Sequence, residues 1–138
     1  MEIHRSGIIT LALVSGLAVP SLALAEDTIK VGTVATLEGP FIAAGQDSIR
    51  GLELALKQHN GIAGGRKIEI IQESSDATSE GVVKAARKLI EQDGVQILVG
   101  PVTGDEGLAI KEYAKTQPNI TFLNGSAATQ DETLRDPA

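Results

Sequence analysis

The feature that most constrains this chain is an alternation. Between Thr28 and Leu123, apolar stretches of extended character take turns with stretches of helical period, in the order β-α-β-α-β-α-β. Residues 28–37, with Ile29, Val31 and Val34, read as a first strand. Residues 46–59 place Ile49, Leu52, Ala55, Leu56 and His59 along the inner side of a helix, with Glu53 and Lys57 as an ion pair on the outer side. Asn60-Gly61 ends that helix, because both residues suit a positive φ. Gly64-Gly65 turns the chain, and residues 67–72 form a second strand on Ile68, Ile70 and Ile71.

Residues 79–92 give the clearest helix. Val82, Val83, Ala86, Leu89 and Ile90 share one face, and Lys84, Arg87, Lys88 and Glu91 lie off it. Asp93-Gly94 stops this helix. Residues 95–99 are a third strand, nearly all apolar, as a strand covered on both faces should be. A third helix spans 105–115 with Leu108, Ala109 and Tyr113 inward; Pro118 prevents its continuing, and 120–123 is a fourth strand. The alternation calls for an α/β fold: an open parallel sheet with strand order 2-1-3-4, helices on both faces and right-handed crossovers.

Ahead of the first strand lies a segment of another kind. A polar start carrying His4 and Arg5 leads into an uncharged apolar run, residues 7–19, then Pro20-Ser21 and the small-x-small pattern Ala23-Leu24-Ala25. This is the layout of a cleaved secretory signal peptide over residues 1–25, and it predicts a mature start at Glu26 and a periplasmic product. The run is shorter than the ~20 residues a membrane span needs. Removing this segment takes Glu2 and Arg5, so the net charge stays at −6.

Composition then removes several function classes. With no cysteine there can be no disulfide framework, thiolate metal site or lipid-modified cysteine after the signal. An acidic chain with two Phe, one Tyr and no Trp lacks the basic surface and stacking rings of nucleic-acid binding. There is no Gly-x-Gly-x-x-Gly after the first strand, no phosphate loop, and no nucleophile elbow. His59 is the sole histidine beyond the signal, so a histidine-rich metal site is not available, and neither metal nor cofactor is expected. After Leu123 the chain runs into the polar tract Asn124-Gly125-Ser126-Ala127-Ala128-Thr129 with no helix completed. Residues 26–138 are therefore expected to be the N-terminal piece of a longer protein.

In open α/β sheets ligands sit beyond the carboxyl ends of the strands, where the strand order reverses. That rule singles out the loops 37–45, 74–78, 100–106 and 124–129. In the third of these, Gly100 and Gly104 permit close approach of a ligand to the backbone. Thr103 and Glu106 have the spacing of a helix capping box, a reading that competes with direct ligand contact by their side chains. Asp105 and Glu106 put negative charge at the helix mouth, which opposes an anionic ligand there. Ser126 to Thr129 offers two hydroxyls among small residues, or a turn with Thr129 as a cap. Glu38-Gly39-Pro40 reads as a turn whose Glu38 could reach a cationic group, and Asp76 reads as the cap of the second helix.

Taken together, these segments resemble the N-terminal lobe of periplasmic substrate-binding proteins of the branched-chain amino acid type, which serve ABC importers. The resemblance rests on Ile29-Lys30-Val31-Gly32, Leu37-Glu38-Gly39-Pro40, residues 51–56 and 60–67, Ser75-Asp76, Leu98-Val99-Gly100 and Ser126-Ala127-Ala128-Thr129. It implies two lobes on a hinge, a small ligand held between them, no chemistry on that ligand, and the importer's membrane subunits as partners. In amino-acid-binding members a loop serine after the third strand and an Ala-x-Thr after the fourth hold the ligand. Here Ala127 and Thr129 match the second element, Gly104 falls at the serine, and Ala44 falls at an aromatic position. The implied contacts are Glu38, Phe41, Thr103, Gly104, Asp105, Ala127, Ala128 and Thr129. The implied ligand is an amino acid, an amide, another small organic acid or an aromatic compound. Two other readings stay open: a sensor ectodomain of the same fold, and an exported enzyme using Asp76 or Asp105 as a carboxylate catalyst.

Overall fold

The computed structural model describes residues 28–129. The expected signal peptide lies outside the described residues. Five strands make one sheet in the order β2-β3-β1-β4-β5: β1 (Ile29–Thr36), β2 (Ile62–Ala63), β3 (Arg66–Ser75), β4 (Ile97–Val99) and β5 (Thr121–Leu123). The three helices are α1 (Ile42–Gln58), α2 (Ser79–Glu91) and α3 (Gly104–Ala114). Strands β3, β1, β4 and β5 are all parallel, so the four long-range strands keep the expected order. The difference is β2, a two-residue strand antiparallel to β3 that makes the sheet mixed. Its cause is local. Gly64 and Gly65 have φ of +58° and +77°, the pair of positive angles that a two-residue hairpin loop requires, and Ile62 and Ala63 are drawn back beside Lys67 and Arg66.

The main core lies on one face of the sheet. Val34, Val82, Ala85, Ala86, Leu89, Val95, Leu98 and Ile110 pack there, joining β1 and β4 to α2 and α3. Alternation along β1 sends Val31 and Ala35, 7% and 1% exposed, to the opposite side, where α1 packs on β1. Gly45 is the point of closest approach. A Cβ built there would lie 2.8 Å from the carbonyl carbon of Thr36, so only glycine lets α1 dock at that depth.

Helix ends follow the residues that can satisfy them. At the end of α1, Gly61 N–H donates to Leu56 O (2.8 Å) and Asn60 N–H to Lys57 O (3.3 Å), the paired bonds of a Schellman motif, with Asn60 at φ +54°. His59 is the exposed residue at that end rather than a packed one. An ion pair on α1 joins Asp47 to Arg50. On α3 the deepest residues are Glu106, Gly107, Ile110 and Lys111, while Leu108, Ala109 and Tyr113 are only half-buried. Among the described residues no helix is long and apolar enough to cross a membrane.

Every strand read from the sequence shifts at one or both ends, and two of the shifts have a visible cause. β4 is shorter, because its pairing with β1 begins only at Ile97 opposite Val31. β3 is longer: Glu73, Ser74 and Ser75 are polar, yet they continue the ladder opposite Val34, Ala35 and Thr36. That register brings Thr36 and Ser75 side by side at the carboxyl edge of the sheet.

Candidate functional site

The carboxyl edge gathers the loops that leave β1, β3, β4 and β5. The loop after β4 opens with Gly100 at φ +124° and a cis Gly100–Pro101 bond. Gly100 N–H donates to Leu123 O (3.1 Å), and a Cβ on Gly100 would lie 3.3 Å from the Val34 carbonyl carbon, so this loop is pressed against both neighbouring strands. The tract after β5 is fastened alongside it. Ser126 N–H donates to Pro101 O (3.2 Å), and the Ser126 hydroxyl to Val102 O (3.4 Å). Asn124 Nδ2 donates to Ala127 O (2.7 Å), which closes the tract into a turn with Ala127 buried beneath it.

This places Gly104 against Thr129. A Cβ on Gly104 would stand 2.7 Å from Thr129 Cγ2, well inside normal carbon–carbon contact. Two of the residues expected at the ligand site thus meet across the two loops. Thr103 caps α3: its hydroxyl accepts from Glu106 N–H (3.4 Å), and Glu106 Oε2 accepts from Thr103 N–H (3.2 Å). The capping box read from the sequence is therefore present, and it occupies the Thr103 side chain. Asp105 and Ala128 are exposed, and Asp105 O accepts from the Ser79 hydroxyl (3.3 Å), which joins the mouths of α2 and α3.

The first loop sits differently. Gly39–Phe41 is a single turn of 3₁₀ helix feeding α1, and Phe41 is 46% exposed. Glu38 borders an open groove of about 420 Å³ on the β3–α2 side, whose wall includes Glu73, Ser75, Asp76, Lys84 and Lys88. No other residue expected at the ligand site lines that groove. The cap of α2 is Thr78, whose hydroxyl accepts from Gly81 N–H (3.0 Å). Asp76 acts one step earlier, because its carboxylate accepts from the Thr78 hydroxyl (2.6 Å) and the Thr78 N–H (3.1 Å). Those two bonds, the hydroxyl's first, hold the Asp76 carboxyl below its ordinary pKa. Between them Ala77 is held at φ +65°, a conformation that side chains other than glycine resist.

What the sequence did not disclose is the interior of this edge. Glu106 is fully buried, and besides its own cap it accepts from the Thr36 hydroxyl (2.9 Å) and the Ser75 hydroxyl (2.5 Å). The Thr-x-x-Glu spacing found the carboxylate; only the β1–β3 register shows its other two partners. Among the described residues no cluster of His, Asp or Glu is arranged to hold a metal ion.

Comparison with known proteins shows the family. The family described as periplasmic binding protein matches residues 28–137. A Leu/Ile/Val-binding protein of Rhizobium johnstonii is 30% identical over 92% of this chain and 34% of its own length. A Leu/Ile/Val-binding protein homologue of Brucella abortus is 28% identical over 89% of this chain and 32% of its own length. The chain thus spans about a third of the length of these relatives. Among solved structures, an ABC transporter substrate-binding protein from Sphaerobacter thermophilus aligns with a TM-score of 0.72 at 33% identity, over 78% of this chain and 29% of that one. A solute-binding protein of an ABC transporter from Rhodopseudomonas palustris, solved with 3,4-dihydroxybenzoic acid, aligns at 0.73 and 29% identity, over 81% of this chain and 31% of that one. A branched-chain amino acid transporter substrate-binding protein from Streptococcus pneumoniae, solved with isoleucine, aligns at 0.67 and 26%, over 74% of this chain and 30% of that one.

Proposed function

The chain belongs to the periplasmic binding protein family, and on that premise we propose that the full-length protein captures a small organic acid outside the cytoplasm and delivers it to the membrane subunits of an ABC importer. The observation that carries this reading is the pair of fastened loops at the carboxyl edge. Gly104 and Thr129 meet there on a wall of small residues and backbone N–H groups, beside the N-terminus of α3. Such a wall can orient a polar solute.

In this reading Glu38, Phe41, Thr103, Gly104, Asp105, Ala127, Ala128 and Thr129 form one side of the cleft. A second lobe supplies the other side, as burial of most of a small ligand's surface requires. The ligand class is an amino acid or an aromatic carboxylic acid, in line with what the Streptococcus and Rhodopseudomonas proteins hold. Gly104 offers the ligand a backbone N–H and no hydroxyl. The signal peptide delivers the protein to the periplasm with Glu26 as its first residue.

Calorimetric titration of the full-length protein with L-isoleucine, L-leucine and 3,4-dihydroxybenzoate tests the reading. Saturable heat with one of them, and the compound recovered unchanged, is expected. Conversion of the bound compound to a product would overturn the non-catalytic reading, and absence of binding by all three would overturn the ligand class.

A further inference from the structure

A helix capping box ordinarily satisfies the first turn of its own helix and stops there. The one at the start of α3 does more. Glu106 divides its two oxygens among three elements: Oε2 accepts from the Thr103 N–H (3.2 Å), the Thr103 hydroxyl (2.8 Å) and the Thr36 hydroxyl (2.9 Å), and Oε1 accepts from the Ser75 hydroxyl (2.5 Å). Thr36 is the last residue of β1, Ser75 the last of β3, and Thr103 the last before α3. Glu106 and Thr36 are 0% exposed and Ser75 is 3% exposed, so water cannot stand in for a lost partner without the packing opening. Each of these three residues is also the root of a loop at the ligand edge. Thr36 leads into residues 37–41, Ser75 into 76–78, and Thr103 ends 100–103.

We propose that Glu106 is the positioning residue of the ligand cleft: it touches no ligand, and it locks the loops after β1, β3 and β4 into one unit so that the half-site is formed before the ligand arrives. This deepens the binding reading above and rests on it for the identity of the cleft. The bond pattern also says which replacement should be tolerated. The Ser75 hydroxyl can turn and accept, so a glutamine could keep its oxygen at the Oε2 position and donate its amide to Ser75. An alanine removes all four links.

The test begins without ligand. Hydrogen exchange in the full-length protein compares wild type with Glu106→Ala, Glu106→Gln and Thr36→Val. In the alanine variant, amides of 38, 39, 41, 76–78 and 102–104 should exchange together, roughly tenfold faster or more, while β5 and the C-terminal half of α2 keep their protection. The glutamine variant should restore wild-type exchange. Thr36→Val, which preserves the shape of the strand end, should release 38–41 without loosening α3, and it decides the matter if the alanine variant does not fold. Faster exchange confined to 103–107 would reduce Glu106 to a local cap and overturn the proposal, as would unchanged loops in Thr36→Val. Calorimetry with L-isoleucine and 3,4-dihydroxybenzoate follows. A probe that binds wild type should bind the glutamine variant equally and the alanine variant at least about tenfold more weakly. If neither probe binds wild type, the ligand class fails while the exchange result still judges Glu106.

Discussion

Two glycines six residues apart on α1 should respond to the same substitution with opposite sign. Gly51 is exposed, and a Cβ there would meet nothing within 4 Å. Gly51→Ala should therefore show only the helix propensity gain, about 0.5–1 kcal/mol of added stability. Gly45 is buried against β1. Its Cβ would lie 2.8 Å from the Thr36 carbonyl carbon and 3.1 Å from the Thr36 nitrogen, and closer still to the carbonyl oxygen. Carbon–carbon contacts settle at about 3.5–4.0 Å, so α1 must withdraw by roughly 1 Å from a backbone that cannot rotate away. Overpacking of that kind costs about 1–3 kcal/mol, and occasionally more. Set against the same propensity gain, Gly45→Ala should lose about 1–2 kcal/mol net. Urea unfolding followed by far-ultraviolet circular dichroism measures both variants. A midpoint raised by Gly45→Ala, as by Gly51→Ala, would show that α1 is not docked on Thr36 as described.

Other outcomes follow from the carboxyl edge. Ala77 sits at φ +65°, so Ala77→Gly should raise stability by about 1 kcal/mol in the same unfolding assay; a loss would mean that the turn after β3 does not hold this conformation. The Asp76 carboxyl is held below its ordinary pKa by the Thr78 hydroxyl and N–H, so its stabilising effect is complete above the unfolded value of 3.8 and fades as pH falls through the lower folded value. Asp76→Asn should remove that acid-side slope, which unfolding midpoints measured across the acid range will show. Gly104→Leu would drive its side chain into Thr129, so it should weaken binding of any ligand by roughly tenfold or more, read by calorimetry.

The fold was legible because its signals are local. The β-α alternation, the apolar face of α2, the Thr103–Glu106 box and the Asn60–Gly61 stop all lie within a few residues of what they determine. The misses are non-local or weak in pattern. Strand β2 is two exposed residues with no alternation to read, created by the Gly64-Gly65 turn. The polar end of β3 is strand only because β1 lies beside it in register. Asp76 carries the right chemistry for a cap, yet the β-region backbone of Thr78 makes that residue the cap instead. At the candidate site the loops were legible from topology, while the Gly104–Thr129 approach and the Thr36–Ser75–Glu106 cluster depend on distances between elements far apart in the chain.

The most direct test of the account is a crystal structure of the full-length protein with its ligand bound. The ligand should lie between two lobes, within hydrogen-bond distance of the Gly104 N–H and the Thr129 hydroxyl, with Glu106 buried behind it and untouched. A ligand seated instead in the groove bordered by Glu73, Asp76 and Lys88, or one bound wholly outside the loops after β4 and β5, would contradict it.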